Sequence, residues 1–177
     1  AEAGYDFDNP QPLVVMLPTD QQIIYNNILV MVGKLQEIGV NVDAQSMDWS
    51  TLTSRRARTD DPVESPNVGW HIFPTWWTGV NMASPITNQP LVTTGDPVSA
   101  WFGWPKDEEI ENLRTQFLDA ASEEEQKAVI DALQKRFYEF IPYINTGQFL
   151  TPVAWRSSVT DVPEALLFLP WNLKKDS

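Results

Sequence analysis

Three consecutive segments near the start of the chain constrain its fold more than anything that follows. Leu13, Val14, Val15, Met16 and Leu17 form a continuous apolar run of strand length, closed by Pro18. A strand that is apolar at every position, rather than at alternate ones, is buried on both faces. Next, Ile24, Ile28, Met31 or Val32, Leu35 and Ile38 recur at helical spacing, with Thr19 or Asp20 as cap and Gly39 as stop. Val40, Val42, Ala44 and Ser46 then alternate with polar residues, the pattern of a half-buried strand. Strand, helix and strand in that order predict a βαβ unit with parallel strands and a right-handed crossover.

The remainder extends this α/β reading. Asp48 caps a short helix from Trp49 to about Thr59, and Asp60 through Pro66 is a polar loop. Residues 69–81 then hold Trp70, Phe73, Trp76 and Trp77, an alternating run that reads as a buried strand ending at Thr78-Gly79. From Asn81 to Pro105 the chain is rich in Pro, Gly, Ser and Thr, an irregular segment of functional length. Two helices follow. Asp107 to Ala121 places Ile110, Leu113 and Phe117 on one face. Ser122-Glu123-Glu124-Glu125 is a capping box opening the second, whose buried side is Val129, Ile130, Leu133, Phe137 and Phe140 or Ile141. Pro142 ends it, and residues 143–156 and 159–173 are expected to return extended to the sheet. A chain of 177 residues without repeat or linker predicts one domain, 1–177, a mixed sheet flanked by helices.

Charge and composition exclude several functions. Twenty-four acidic against twelve basic residues leave a net charge of -12, a surface that repels nucleic acid and anionic lipid. The absence of cysteine removes disulfides, thiolate metal sites and a thiol nucleophile, and a single histidine, His71, makes no metal cage. The acidic runs Glu108-Glu109-Ile110-Glu111 and Glu123 to Glu125 sit at helix starts, where carboxylates complement the dipole. No phosphate-binding glycine motif occurs, and Ser54, Ser157 and Ser158 lack a partner base. The expectation is a non-enzyme with no catalytic residue, cofactor or metal.

Binding fits better. Eight tryptophans are many for this length, and several stand in loops or at expected strand ends. Flat side chains there bind peptide side chains, sugar rings or cations at low entropic cost. Trp76, Trp77 and Asn81 are the leading candidates, with Trp101 and Trp104 of a second cluster, Trp101-Phe102-Gly103-Trp104. Arg55 and Arg56, on the short helix beside the aromatic segment, offer a fork to a carboxylate.

Several of these stretches resemble one family in the same order along the chain. Leu35-Gln36-Glu37-Ile38-Gly39-Val40-Asn41-Val42, Met47-Asp48-Trp49-Ser50-Thr51-Leu52, Trp76-Trp77-Thr78-Gly79, Trp101-Phe102-Gly103-Trp104 and Pro142 through Gln148 are similar to the family 5 extracellular solute-binding proteins of ABC transporters. The resemblance implies a type II periplasmic-binding-protein-like lobe, the second of two. Ala1 to Tyr5 matches the end of the helix that precedes that lobe, so a longer parent with an N-terminal lobe and a signal sequence is expected.

The implied function is capture of a peptide or related small solute, such as an oligosaccharide, for the permease subunits, in the periplasm or outside the cell. The alternative is an aromatic-rich protein-interaction module without a transport role. In peptide-binding members the matching tryptophan, here Trp77, is followed three positions on by an acid that pairs with the peptide amine. That position holds Val80, with Asn81 next, so the resemblance favours neutral ligands over a free amino terminus. Arg56, or Arg55 by a slip of one, lies near an arginine lining the cleft of oligopeptide binders. Half a cleft binds weakly, so the chain alone is expected to hold solute weakly or undetectably; micromolar affinity by titration would contradict this.

Overall fold

A computed structural model describes residues 5–165 and 169–175; the helix end expected at Ala1 to Gly4 lies outside them. The described chain divides into two compact units, residues 1–144 and 145–177.

In the first unit the βαβ expectation holds. β1 (Leu13–Pro18) and β2 (Val42–Met47) pair in parallel, Leu13 opposite Val42 and Pro18 opposite Met47, with α1 (Gln22–Glu37) between them. Every residue of β1 from Val14 to Pro18 is buried, as an uninterrupted apolar run requires. α1 lays Ile24, Ile28 and Val32 inward, and Val15, Leu17, Ile28 and Val32 form a core joined by Tyr25, Met31 and Ile72. Gly39, at φ 87°, ends the helix, and the amide of Val40 returns to the carbonyl of Leu35. The predicted cap differs. Gln21 occupies the N-cap position without a side-chain bond, because the Asp20 carboxylate accepts the Trp49 amide at 2.8 Å instead.

That bond fastens the end of β1 to α2 (Trp49–Arg55), which Asp48 caps through the Thr51 amide. α2 ends four residues before the expected Thr59. The aromatic segment departs further from expectation. It pairs with β1 at a single position, Val15 opposite Ile72, and is otherwise irregular. Pro74 has no amide to donate, so no ladder can continue through it.

Beyond it, α3 (Gly79–Met82) is one helical turn capped by Thr78, within a stretch whose sequence period was too short to register. A 3₁₀ turn at Gln89–Leu91 interrupts the irregular region. α4 (Glu108–Asp119) and α5 (Glu123–Phe140) pack against each other, with a core of Leu91, Ile110, Leu113 and Leu133. Asp107 caps α4 and is also gripped by Arg136 of α5, which holds its carboxyl below the usual carboxylate range. Ser122 and Glu125 form the predicted box, although the Glu125 carboxylate accepts from the Ala121 amide.

In the second unit, β3 (Val159–Thr160) and β4 (Lys174–Lys175) pair antiparallel with each other. Leu166 to Phe168, within the predicted extended segment, lie outside the described residues. Among the described residues no helix is long and apolar enough to cross a membrane.

Ile110 is fully buried between α4 and α5, whereas Leu118 on the same helix is 66% exposed. Ile110→Ala is therefore expected to cost about 2–5 kcal/mol in urea unfolding, and Leu118→Ala less than about 0.5 kcal/mol.

Candidate functional site

The carboxyl ends of the parallel segments converge on one aromatic surface. Trp49 stands two residues after β2, and Phe73 directly after Ile72, the residue that bridges to β1. Ligands in open α/β sheets are met at this edge. The rings continue without a break: Trp70 packs edge-on against Phe73 with centroids 4.8 Å apart, Phe73 meets Phe102 at 6.4 Å, Phe102 meets Trp101 at 4.8 Å and Trp101 meets Trp77 at 5.2 Å. Trp104 closes back on Trp70 at 6.4 Å.

A tight turn makes that closure possible. The Trp104 amide donates to the Trp101 carbonyl, and both Gly103 and Trp104 take positive φ, 97° and 48°. A bulky residue in the left-handed region stores strain of about 1–3 kcal/mol, here offset by the ring contact with Trp70. At Gly103 a Cβ would come within 3.6 Å of the Trp70 ring, and φ there already favours glycine.

Arg56, the C-cap residue of α2, supplies the charge. Its guanidinium carbon lies 4.5 Å from the Phe102 centroid, 5.3 Å from Trp101 and 5.9 Å from both Trp49 and Phe73. Four aromatic faces around one cation hold it by the ring quadrupoles. Burial alone acts on its proton affinity, lowering it from the usual value, and it stays charged at neutral pH.

Arg55, the other arginine the sequence offers, is committed elsewhere. Its guanidinium donates to the carbonyls of Val68, Pro66 and Gly69 at 3.0, 2.7 and 2.5 Å and to Gln45 Oε1 at 2.6 Å. It thereby clamps the loop of residues 60–69 to the edge of β2. Gly69 is required in that clamp, since a Cβ would come within 2.5 Å of the Asp60 carbonyl oxygen and 2.6 Å of the Pro62 nitrogen.

His71 fixes the aromatic segment from its other end. Its Nδ1 accepts the Val14 amide at 3.0 Å, while the backbone amides of His71 and Ile72 donate to the Val14 carbonyl. Burial lowers its pKa from the ordinary 6.5, and Asp61 opposes that shift without cancelling it.

Of the sequence candidates, Arg56, Trp77, Trp101 and Trp104 lie on this one surface. Trp76 is 49% exposed and makes none of the ring contacts described. Asn81 lies on α3, where its amide meets Thr78 and its carbonyl accepts the Thr87 hydroxyl. Trp49, Trp70, Phe73 and Phe102 join the surface although the sequence did not single them out. The signal for Trp49 was its place two residues beyond a parallel strand. Among the described residues no group of three or more His, Cys, Asp or Glu side chains could hold a metal ion.

Comparison with known proteins bears on the fold. No family model matches the sequence. The chain is 35% identical over 174 residues, 98% of its length, to a probable peptide ABC transporter periplasmic-binding protein of Sinorhizobium fredii, of which it spans 31%. Similar solved structures include the Escherichia coli murein tripeptide binding protein MppA, at TM-score 0.59 and 19% identity over 80% of this chain and 25% of that one. The mannohexaose-bound oligopeptide-binding protein of Thermotoga maritima matches at TM-score 0.60 and 19% identity, over 77% of this chain and 25% of that one. NikA of Staphylococcus aureus, in complex with Ni(L-His)2, matches at 0.66 and 11% over 99% of this chain and 36% of that one. The fold is thus that of type II periplasmic-binding proteins. By sequence the chain is similar to part of a probable peptide ABC transporter periplasmic-binding protein, and spans about a third of that relative's length.

Two expectations follow from the clamps. Arg55→Ala, which strands several carbonyls, is expected to cost about 2–3 kcal/mol and to speed amide hydrogen exchange in residues 60–69. Because the folded pKa of His71 is depressed, its contribution is complete above the unfolded value of 6.5 and is lost as pH falls toward the folded value. Unfolding midpoints measured from neutral to about pH 5 should fall in the native protein, and this component should vanish in His71→Gln.

Proposed function

We propose that this chain supplies one ligand-facing wall of an ABC transporter solute-binding protein. The observation that carries the reading is the aromatic surface around Arg56 at the carboxyl edge of the parallel strands. A row of rings with one charge gives broad contact area and a single polar anchor, which suits capture and release better than chemistry. Trp77, Trp101, Trp104 and Arg56 line the wall, with Trp76 and Asn81 beside it. The solute is a peptide or a related small molecule such as an oligosaccharide. The names of the relatives support that range, since one is a probable peptide-binding protein and others were solved with mannohexaose bound or named for a murein tripeptide.

In this reading a second lobe completes the cleft, and closure of the two around solute presents it to permease subunits in the periplasm or at the cell exterior. The relatives are transport-associated binding proteins rather than enzymes. A second reading, an aromatic-rich protein-interaction module, is favoured by the exposure of Leu150, Trp155 and Trp171 in residues 145–177.

Titration of intrinsic tryptophan fluorescence with a panel of peptides and oligosaccharides separates the two. In the two-lobe parent, solute capture predicts saturable quenching that Trp77→Ala weakens by ~1–3 kcal/mol through lost stacking. Unchanged affinity in a folded Trp77→Ala protein would return Trp77 to a packing role.

A further inference from the structure

The second edge of β1 ends its hydrogen-bond ladder on a side chain. Around the bridge of Val15 to Ile72, the Ile72 amide donates to the Val14 carbonyl at 3.1 Å and the Met16 amide to the Ile72 carbonyl at 3.0 Å, as a parallel pair requires. One step back, a continued strand would offer the Val14 amide the carbonyl of residue 70. The His71 ring takes that place instead, accepting through Nδ1 at 3.0 Å. A backbone N–H can only donate, so Nδ1 is unprotonated and the ring's proton sits on Nε2. The backbone is thereby free to leave the strand at Gly69 and Trp70, where the Gly69 carbonyl accepts from Arg55 and the Trp70 ring meets Trp104.

This arrangement holds for one charge state of the ring. Imidazolium carries a proton on both nitrogens and cannot accept. Val14 is wholly buried, so its amide would face a second donor with no water to replace the lost acceptor.

A place for the charged ring lies alongside. His71 lines a recess of about 590 Å³ together with Trp70, Trp104 and the loop that carries Arg58, Asp60 and Asp61. Asp60 pairs with Arg58, whereas Asp61 spends Oδ1 on the Val63 amide. Burial disfavours the charged ring and Asp61 favours it, with burial prevailing. β1 brings no ionisable side chain to the ring, and neither do residues 101–104, which are Trp, Phe, Gly and Trp. The cations of α2 are held on either side, Arg55 on the Gly69 carbonyl and Arg56 over the Phe73 ring.

We infer that His71 is the positioning residue of the ring wall and acts as an acid-operated catch. Neutral, it holds residues 70–73 against β1. Protonated, it leaves Val14 for the side of Asp61 and frees the Trp70 and Phe73 rings from their neighbours. The catch belongs to the chain's own conformation and does not depend on which solute the wall takes. It also differs from a general loss of stability in acid, because the wall opens while the α4–α5 core stays closed.

The test is a titration of the ¹⁵N-labelled 177-residue chain from about pH 7.5 to about pH 4.5, followed by NMR. As the single histidine, His71 reports its own tautomer and midpoint. The expected result is a neutral ring protonated on Nε2 at the start, and one midpoint below 6.5 shared by the ring, the Val14 amide and the Trp70 indole. Across it, protection of the Val14 amide from hydrogen exchange falls at least about tenfold relative to that of Ile110. Far-UV circular dichroism stays constant.

His71→Asn puts Oδ1 in the place of Nδ1, an acceptor that does not titrate, and is expected to keep the neutral arrangement throughout. His71→Phe keeps a ring without the acceptor and is expected to show the acid arrangement already at neutral pH. Asp61→Asn removes the anion that favours imidazolium and is expected to move the midpoint to lower pH. The catch is overturned by a ring that stays neutral across the range, or one that titrates while the Val14 and Trp70 signals stay fixed. It is equally overturned by a Val14 and Trp70 transition that persists in His71→Asn, or by loss of the α4 and α5 signals together with the wall. Should His71→Phe fail to fold, the native and His71→Asn titrations decide. None of these outcomes touches solute capture, which the fluorescence titration tests separately.

Discussion

β1 has no face and no edge open to water, and the rest of the first unit is arranged around that fact. Val14, Val15 and Met16 are wholly inaccessible, so each peptide group of the strand must find its partner within the protein. On one side β2 supplies them in register. On the other, the amide of Val14 goes to the His71 ring, the carbonyl of Val14 to two amides, and the amide of Met16 to the Ile72 carbonyl. The need to satisfy this second edge is what brings residues 71–72 alongside, and with them the aromatic residues that follow. Burial chemistry at the strand thus sets the position of a surface that lies beyond its end.

The adjacent arginines show how one helix end serves two purposes. Successive residues on a helix point about 100° apart. Arg55 turns toward the loop and spends its donors on carbonyls, while Arg56 turns toward the rings and keeps its Nε free. The loop clamp and the ring wall are therefore linked through α2. Asp20 and Asp48 hold the start of that helix, one on the amide of Trp49 and the other on that of Thr51.

Much of this was legible in the amino-acid order. The segments β1, α1, β2, α4 and α5 have periods long enough to separate helix from strand, and the capping residues Asp48 and Ser122 correctly marked the starts of α2 and α5. The aromatic segment was legible as buried but not as irregular. Apolar alternation reports which side chains avoid water; hydrogen bonding is decided by partners far away in sequence and by the missing amide of Pro74. Asp20 was read as a local cap because nothing local reveals a bond to residue 49. For the wall, Trp77, Trp101 and Trp104 could be nominated by type and place. Their assembly with Phe73, Phe102 and Trp49 around Arg56, and the choice of Arg56 over Arg55, depended on the turn at Gly103 and on helix phase. The sequence nominates Trp76 and Asn81 as strongly as Trp77, and only the folded chain separates their surroundings.

The bridge between Val15 and Ile72 also carries information about time. β1 and β2 meet across a span of 29 residues that α1 can shorten as it forms, and α4 and α5 meet across a turn of three. Val15 and Ile72 are 57 residues apart, with no regular structure between α2 and the bridge to bring them together. Closure of so long a loop costs entropy that is recovered only after the contact is made. On loop length alone, the ring wall is expected to form after the βαβ unit and the α4–α5 pair.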